Sequence, residues 1–281
     1  MTTIKISNSL VSVQWLKENF SAENLIILDA DMKPVTPVAG GVGESIYIPN
    51  SLRFDYDNHI KDMNTTLPHM MPTPEFFQDE IQKLGINQNS AIIVYDHVGI
   101  YASPRAWWMF RAMGHENVAV LDGGLPAWIN AGYKTASTLN PVPVKRGDFL
   151  STPQADAFVD SSYMLKRLHD SNVTIFDARA KGRFDGLEPE PRPHMKRGHI
   201  PNAVNIPFAS VLESGKMKST SELQTMFEKY KENQKIFYCG TGVTASIVAL
   251  AAHQAGYENF SVYDGSWAEW GMEKENYPIE K

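Results

Sequence analysis

Cysteine is almost absent from this chain: one thiol, Cys239, stands in 281 residues. A single cysteine excludes an intramolecular disulfide and a dithiol redox pair, and it fits a reducing cytoplasm. No other Cys or His lies close to it in sequence, so the ligand spacing of a metal site is missing too. No metal site is expected at this thiol. Long hydrophobic runs are also lacking, and Met1-Thr2-Thr3-Ile4-Lys5-Ile6-Ser7-Asn8 holds no apolar signal core, so no membrane association is expected. Nor is there an excess of positive charge. Lys and Arg number 26 against 32 Asp and Glu, a formal net charge of −6, which argues against a general nucleic-acid or membrane-surface binder. The default address is the cytoplasm.

What is present is enough apolar material for two folded domains, with 43% hydrophobic and 21% charged residues. The chain also repeats itself. Leu25-Ile26-Ile27-Leu28-Asp29-Ala30-Asp31 returns as Val173-Thr174-Ile175-Phe176-Asp177-Ala178-Arg179. Ile48-Pro49-Asn50 returns as Ile200-Pro201-Asn202, and Val120-Leu121-Asp122-Gly123-Gly124 as Val262-Tyr263-Asp264-Gly265-Ser266, with Trp128 matched by Trp270. Segments kept in one order at nearly one spacing read as a tandem duplication. The copies span 1–138 and 155–281, with the proline-bearing stretch 139–154 as linker.

Within copy one, Ser12–Phe20, Pro74–Leu84 and Ser103–Met113 read as helices, and Ala91–Tyr95 and Val118–Leu121 as buried strands. Strands alternating with helices predict an α/β fold, a mainly parallel sheet flanked by helices on both faces in each copy. Ligands of such sheets bind outside the carboxyl ends of the strands.

Cys239 is predicted at one of those ends. The apolar run Lys235-Ile236-Phe237-Tyr238 leads into it, and a helix-forming run from Ala245 to Ala252 leads out. A thiol between a strand end, a glycine-bearing turn and a helix start meets converging N–H groups and the positive end of a helix dipole. That setting favours the thiolate over the thiol, whose free pKa is about 8.5, and makes Cys239 a candidate nucleophile. A phosphatase loop would carry Arg six positions on, where this chain has Ala245. Aligning Tyr95 with Tyr238 sets Asp96 opposite Cys239, so copy one lacks the nucleophile and is read as a structural partner.

These features together resemble the two-domain rhodanese-type sulfurtransferases, over nearly the whole chain. Within them, Cys239-Gly240-Thr241-Gly242-Val243-Thr244 is similar to the loop of the 3-mercaptopyruvate-specific branch, which usually has Ser where Thr241 stands. Thiosulfate-preferring members usually carry Arg and Lys directly after the cysteine. Further matches are Arg183-Phe184, Glu188-Pro189-Glu190-Pro191-Arg192, Gly198-His199-Ile200-Pro201 and Ser103-Pro104-Arg105-Ala106-Trp107-Trp108.

The resemblance implies a ping-pong sulfur transfer through a Cys239 persulfide, without metal or organic cofactor, with pyruvate released and sulfur passed to cyanide or to a thiol, such as thioredoxin or a low-molecular-weight thiol. It implies that Arg183 and Arg192 clamp the donor's carboxylate and keto group. It implies that backbone N–H groups of Gly240, Gly242, Val243 and Thr244 cradle the sulfur. A proton relay of Thr241, His69 and Asp57 completes the implied site. Local charge agrees with an anionic donor: Arg179–Arg197 holds six Lys and Arg against three acids, and the Arg fork suits a carboxylate. Arg179 reads instead as a structural ion-pair partner, and Lys181, Lys196 and Arg197 as solvated charges. Trp107 and Trp108 read as core. Two other functions stay open on sequence: a thiosulfate sulfurtransferase, and a non-catalytic carrier that receives a persulfide from a partner enzyme.

Overall fold

A computed structural model describes residues 2–33, 42, 45–143 and 145–281. It divides into two compact units. Unit 1 comprises Met1–Met63, Pro72–Gln154 and Ser214–Met217; unit 2 comprises Asn64–Met71, Ala155–Glu213 and Lys218–Lys281. Each unit therefore includes a short arm from the other half of the sequence.

In unit 1 the strands β1 (Leu10–Val11), β2 (Leu25–Asp29), β3 (Leu52–Arg53), β4 (Ala91–Tyr95) and β5 (Val118–Leu121) form one sheet in the order β1-β5-β4-β2-β3. Every pairing in it is parallel. The helices are α1 (Val13–Glu18), α2 (Pro74–Lys83), α3 (Ser103–Ala112) and α4 (Gly124–Asn130). Local chemistry starts them: Ser12 and Thr73 accept from the N–H groups of Trp15 and Phe76, and Pro74 occupies the first turn, where no N–H is needed.

Unit 2 repeats the plan. Strands β6 (Phe158–Val159), β7 (Val173–Asp177) and β8 (Val204–Asn205) are followed by a short strand outside the sheet, β9 (Leu212–Glu213), and β10 (Lys216–Met217) lies on the Ser214–Met217 segment of unit 1. Then come β11 (Gln234–Tyr238) and β12 (Phe260–Tyr263), and the sheet order is β6-β12-β11-β7-β8, again all parallel. Its helices are α5 (Ser161–Arg167), α6 (Lys181–Phe184), α7 (Thr220–Phe227), α8 (Val243–Gln254) and α9 (Ser266–Trp270). The central strands are buried along almost their whole length, as expected where helices cover both faces.

The cores match position by position. Leu16, Ile27, Ile93, Tyr95 and Trp128 pack together in unit 1, and Met164, Ile175, Ile236, Tyr238 and Trp270 in unit 2. The Tyr95 and Tyr238 hydroxyls accept from the N–H groups of Ile48 and Ile200, at 3.3 and 3.1 Å. Trp107 and Trp108 are buried, in agreement with their reading as core. The stretch read as a linker bonds back onto unit 1: Gly147 N–H reaches Gln82 O at 2.8 Å, and Thr152 N–H reaches Met113 O at 2.8 Å. Among the described residues no helix is long and apolar enough to cross a membrane.

Candidate active site

Cys239 is the first residue beyond β11, at the carboxyl end of its sheet, and is 1% exposed. Its backbone is fixed by the start of α9. Its N–H donates to Ser266 Oγ at 3.2 Å, its carbonyl accepts from Trp267 N–H at 2.9 Å, and Gly240 O accepts from Ala268 N–H at 2.9 Å. Ser266 also donates to Tyr263 O at 2.8 Å and holds φ at 50°, a left-handed conformation that costs a non-glycine residue about 1–2 kcal/mol. The serine is retained in a conformation better suited to glycine, and its hydroxyl ties β12 to the nucleophile's backbone.

From Cys239 three residues lead to α8. Gly242 caps that helix at φ 78°, where a side chain would strain the turn, and no side chain caps the helix. The first-turn N–H groups have no intrahelical partner, so the electropositive end of a twelve-residue helix is left for an anion at the loop. Thr241 is buried in this loop, at 7% exposure.

Arg183, on α6, approaches the same loop: a Cβ built at Gly240 would lie 3.4 Å from its Nη2. The sequence reading had not anticipated its partner. Glu190 accepts from Arg183 Nε at 3.2 Å and from Nη2, while its other oxygen accepts from Arg179 Nη1 at 2.8 Å. Arg179 is a structural ion-pair partner, as read. Its Nε and Nη2 fork onto Asp177, Nη2 also reaches Gly198 O at 2.8 Å, and the guanidinium lies 4.1 Å from the Trp267 ring centre. Burial works against its charge, but Asp177 and Glu190 outweigh this and raise its pKa above the usual arginine value.

Arg192 is half-buried in the loop that follows Glu190. Lys181 is exposed and pairs with Asp185, whereas Lys196 is not simply solvated: its ammonium donates to Glu275 O. His69 belongs to unit 2 with Cys239, on the arm Asn64–Met71, and is buried with φ at 60°. Asp57 belongs to unit 1. The structure thus gathers Cys239, Thr241, Gly240, Gly242, Val243, Thr244, Arg183, Arg192 and His69 in one unit, and Asp57 is not part of it. Quoted within motifs but given no role from sequence were Glu190, Ser266 and Asp264. The repeated Asp-Gly pair at 122 and 264 was the available signal for the last.

The rhodanese-like domain profile matches this chain twice, over residues 12–131 and 160–273. The 3-mercaptopyruvate sulfurtransferase of Escherichia coli (strain K12) is 35% identical over 277 residues, covering 96% of this chain and 97% of that protein. A thiosulfate/3-mercaptopyruvate sulfurtransferase of Arabidopsis thaliana, mitochondrial by its name, is 35% identical over 99% of this chain and 80% of its own length. Among solved structures, the SseA 3-mercaptopyruvate sulfotransferase of Escherichia coli superposes with a TM-score of 0.78 at 33% identity, over 94% of this chain and all of that one. Two profile matches, full-length relatives and one sheet built twice around a single cysteine establish that the chain belongs to the two-domain rhodanese-type sulfurtransferases.

Proposed function

We propose that this chain is a 3-mercaptopyruvate sulfurtransferase working through Cys239. The observation that carries the reading is the cysteine at the end of β11, three residues before the cap of a helix that no side chain caps, with the Arg183 guanidinium beside Gly240. The residues after Cys239 are neutral, so the cation sits one loop away from the sulfur, where a donor with a remote carboxylate needs it.

The Cys239 thiolate attacks the sulfur of 3-mercaptopyruvate, forming an S–S bond as the C–S bond breaks. The electron pair of that bond leaves on carbon as the enolate of pyruvate, and a proton delivered there completes pyruvate. Thr241 and His69 are the groups we assign to that proton transfer. The Cys239 persulfide then loses its outer sulfur to an attacking thiolate or to cyanide, and the Cys239 thiolate returns. Arg183 and Arg192 bind the donor's carboxylate and keto oxygen. N–H groups of Gly240, Gly242, Val243 and Thr244 hold the charge on sulfur in both half-reactions. A small thiol or thioredoxin is the acceptor we assign, and the cytoplasm the address, supported by the lone unpaired cysteine.

The test is kcat/KM for 3-mercaptopyruvate and for thiosulfate, measured side by side with cyanide as common acceptor. The reading expects mercaptopyruvate to win by more than about tenfold, or roughly 1.4 kcal/mol of transition-state binding. Equal use would favour the dual specificity named in the Arabidopsis relative, and the neutral loop would then not set the donor.

A further inference from the structure

We propose that Asp264 is a positioning residue for sulfur transfer: it fastens the arm that carries His69 to the same three-residue mount that holds Cys239. The arm Asn64–Met71 comes from the first half of the sequence but packs within unit 2. Its last residue, Met71, donates its N–H to Asp264 Oδ2 at 2.7 Å. Asp264 is 6% exposed, so this charge-assisted bond is largely shielded from water. Two residues on, Ser266 accepts the Cys239 N–H, and Trp267 and Ala268 bond the carbonyls of Cys239 and Gly240. Asp264-Gly265-Ser266 therefore bonds the nucleophile's backbone at one end and the His69 arm at the other. A shift of the arm alters the imidazole's place relative to the sulfur, with no change at either residue.

The other copy supplies an internal control. Asp122, the counterpart of Asp264, accepts from Met217 N–H at 3.0 Å, and Met217 ends the reciprocal arm Ser214–Met217 in unit 1. The same carboxylate performs the same fastening where no nucleophile stands, so the bond is a property of the repeat. In unit 2 it serves the reaction.

The inference rests on the role given to His69 above, and the test separates the two. Hydrogen exchange of the Met71 amide is followed in the wild type, Asp264→Ala and Asp264→Asn, together with kcat for 3-mercaptopyruvate. The expected result is fast exchange at Met71 and about a tenfold or greater loss of kcat in Asp264→Ala. Asp264→Asn keeps an acceptor oxygen and should restore both. Adding His69→Ala to Asp264→Ala should cost little further, whereas Asp122→Ala should keep kcat. Unchanged Met71 exchange in Asp264→Ala overturns the inference, as does a released Met71 with a wild-type kcat. Multiplicative losses in the double variant also overturn it. A His69→Ala chain with wild-type turnover instead defeats the assignment of His69, and the exchange result still decides whether Asp264 fastens the arm.

Discussion

Two loops of one origin follow β4 and β11, and they treat the same cradle in opposite ways. In unit 1 the cradle is filled by the chain itself. Asp96, at the position of Cys239, places Oδ2 against the N–H groups of Tyr101, Ala102 and Ser103, each at 2.9 Å, and the Ser103 hydroxyl at 2.6 Å, while Oδ1 takes Val98 N–H at 3.1 Å. The next residue, His97, takes the place of Gly240 and donates to Asp29 at 3.1 Å. In unit 2 the carboxylate is replaced by a thiol and the imidazole by glycine, and Arg183 comes to that glycine. The unit 1 loop is thus an anion seat that the chain fills with its own carboxylate.

The strand-end aspartates teach the same lesson. Asp29 is neutralised by Arg53 and His97, whereas Asp177 is neutralised by Arg179, which passes the connection to Glu190 and so to Arg183. One copy ends its charge network on itself; the other carries it to the loop at Gly240.

Several substitutions sharpen that contrast. The largest effect is expected for Cys239→Ser, which should lower turnover by more than about a thousandfold while leaving unit 2 folded; steady-state assay beside far-UV circular dichroism checks both halves. Asp96→Ala is the mirror experiment. It removes no reacting atom but strands four N–H groups and a hydroxyl, and should destabilise unit 1 by about 3 kcal/mol or more in urea unfolding. A neutral result there would break the idea of a self-filled seat.

Arg183→Ala should raise KM for mercaptopyruvate by about tenfold to a hundredfold, the weight of one charge-assisted hydrogen-bond pair. Its effect on the cyanide half-reaction should be small, and equal losses in both halves would argue against a donor clamp. The smallest effect is a pH dependence confined to unit 1. Burial lowers the pKa of His97, but the hydrogen bond and charge of Asp29, with Asp31 and Asp96, outweigh it and leave the pKa above 6.5. A raised folded pKa gives stability that is complete below the unfolded value near 6.5 and is lost as pH rises through the folded value. The protection of β4 amides, corrected for base-catalysed intrinsic exchange, should therefore fall with rising pH in the wild type, and His97→Gln should flatten that slope. Unit 2, with Gly240 at this position, should show no such trend in β11.

Most of this contrast could be read from the chain. Ala91–Tyr95 and Val118–Leu121 are strands within the residues expected, because uninterrupted apolar runs in a parallel sheet carry their own signal. The Cys239 loop announced itself through glycines that only a tight turn requires. Glu190 did not, because its role depends on two arginines, 7 and 11 residues away, converging on its carboxylate. The bond from Met71 to Asp264 joins residues 193 apart, and no local pattern encodes such a pairing.

The exchanged arms make the boundary between repeats a matter of space more than of sequence. A fragment beginning at Ala155 would keep Cys239, its helix and its strands, yet lack the eight residues Asn64–Met71 that its fold includes. A fragment ending at Gln154 would in turn miss Ser214–Met217. A cut between Gln154 and Ala155 therefore leaves each half without a segment of its own compact unit.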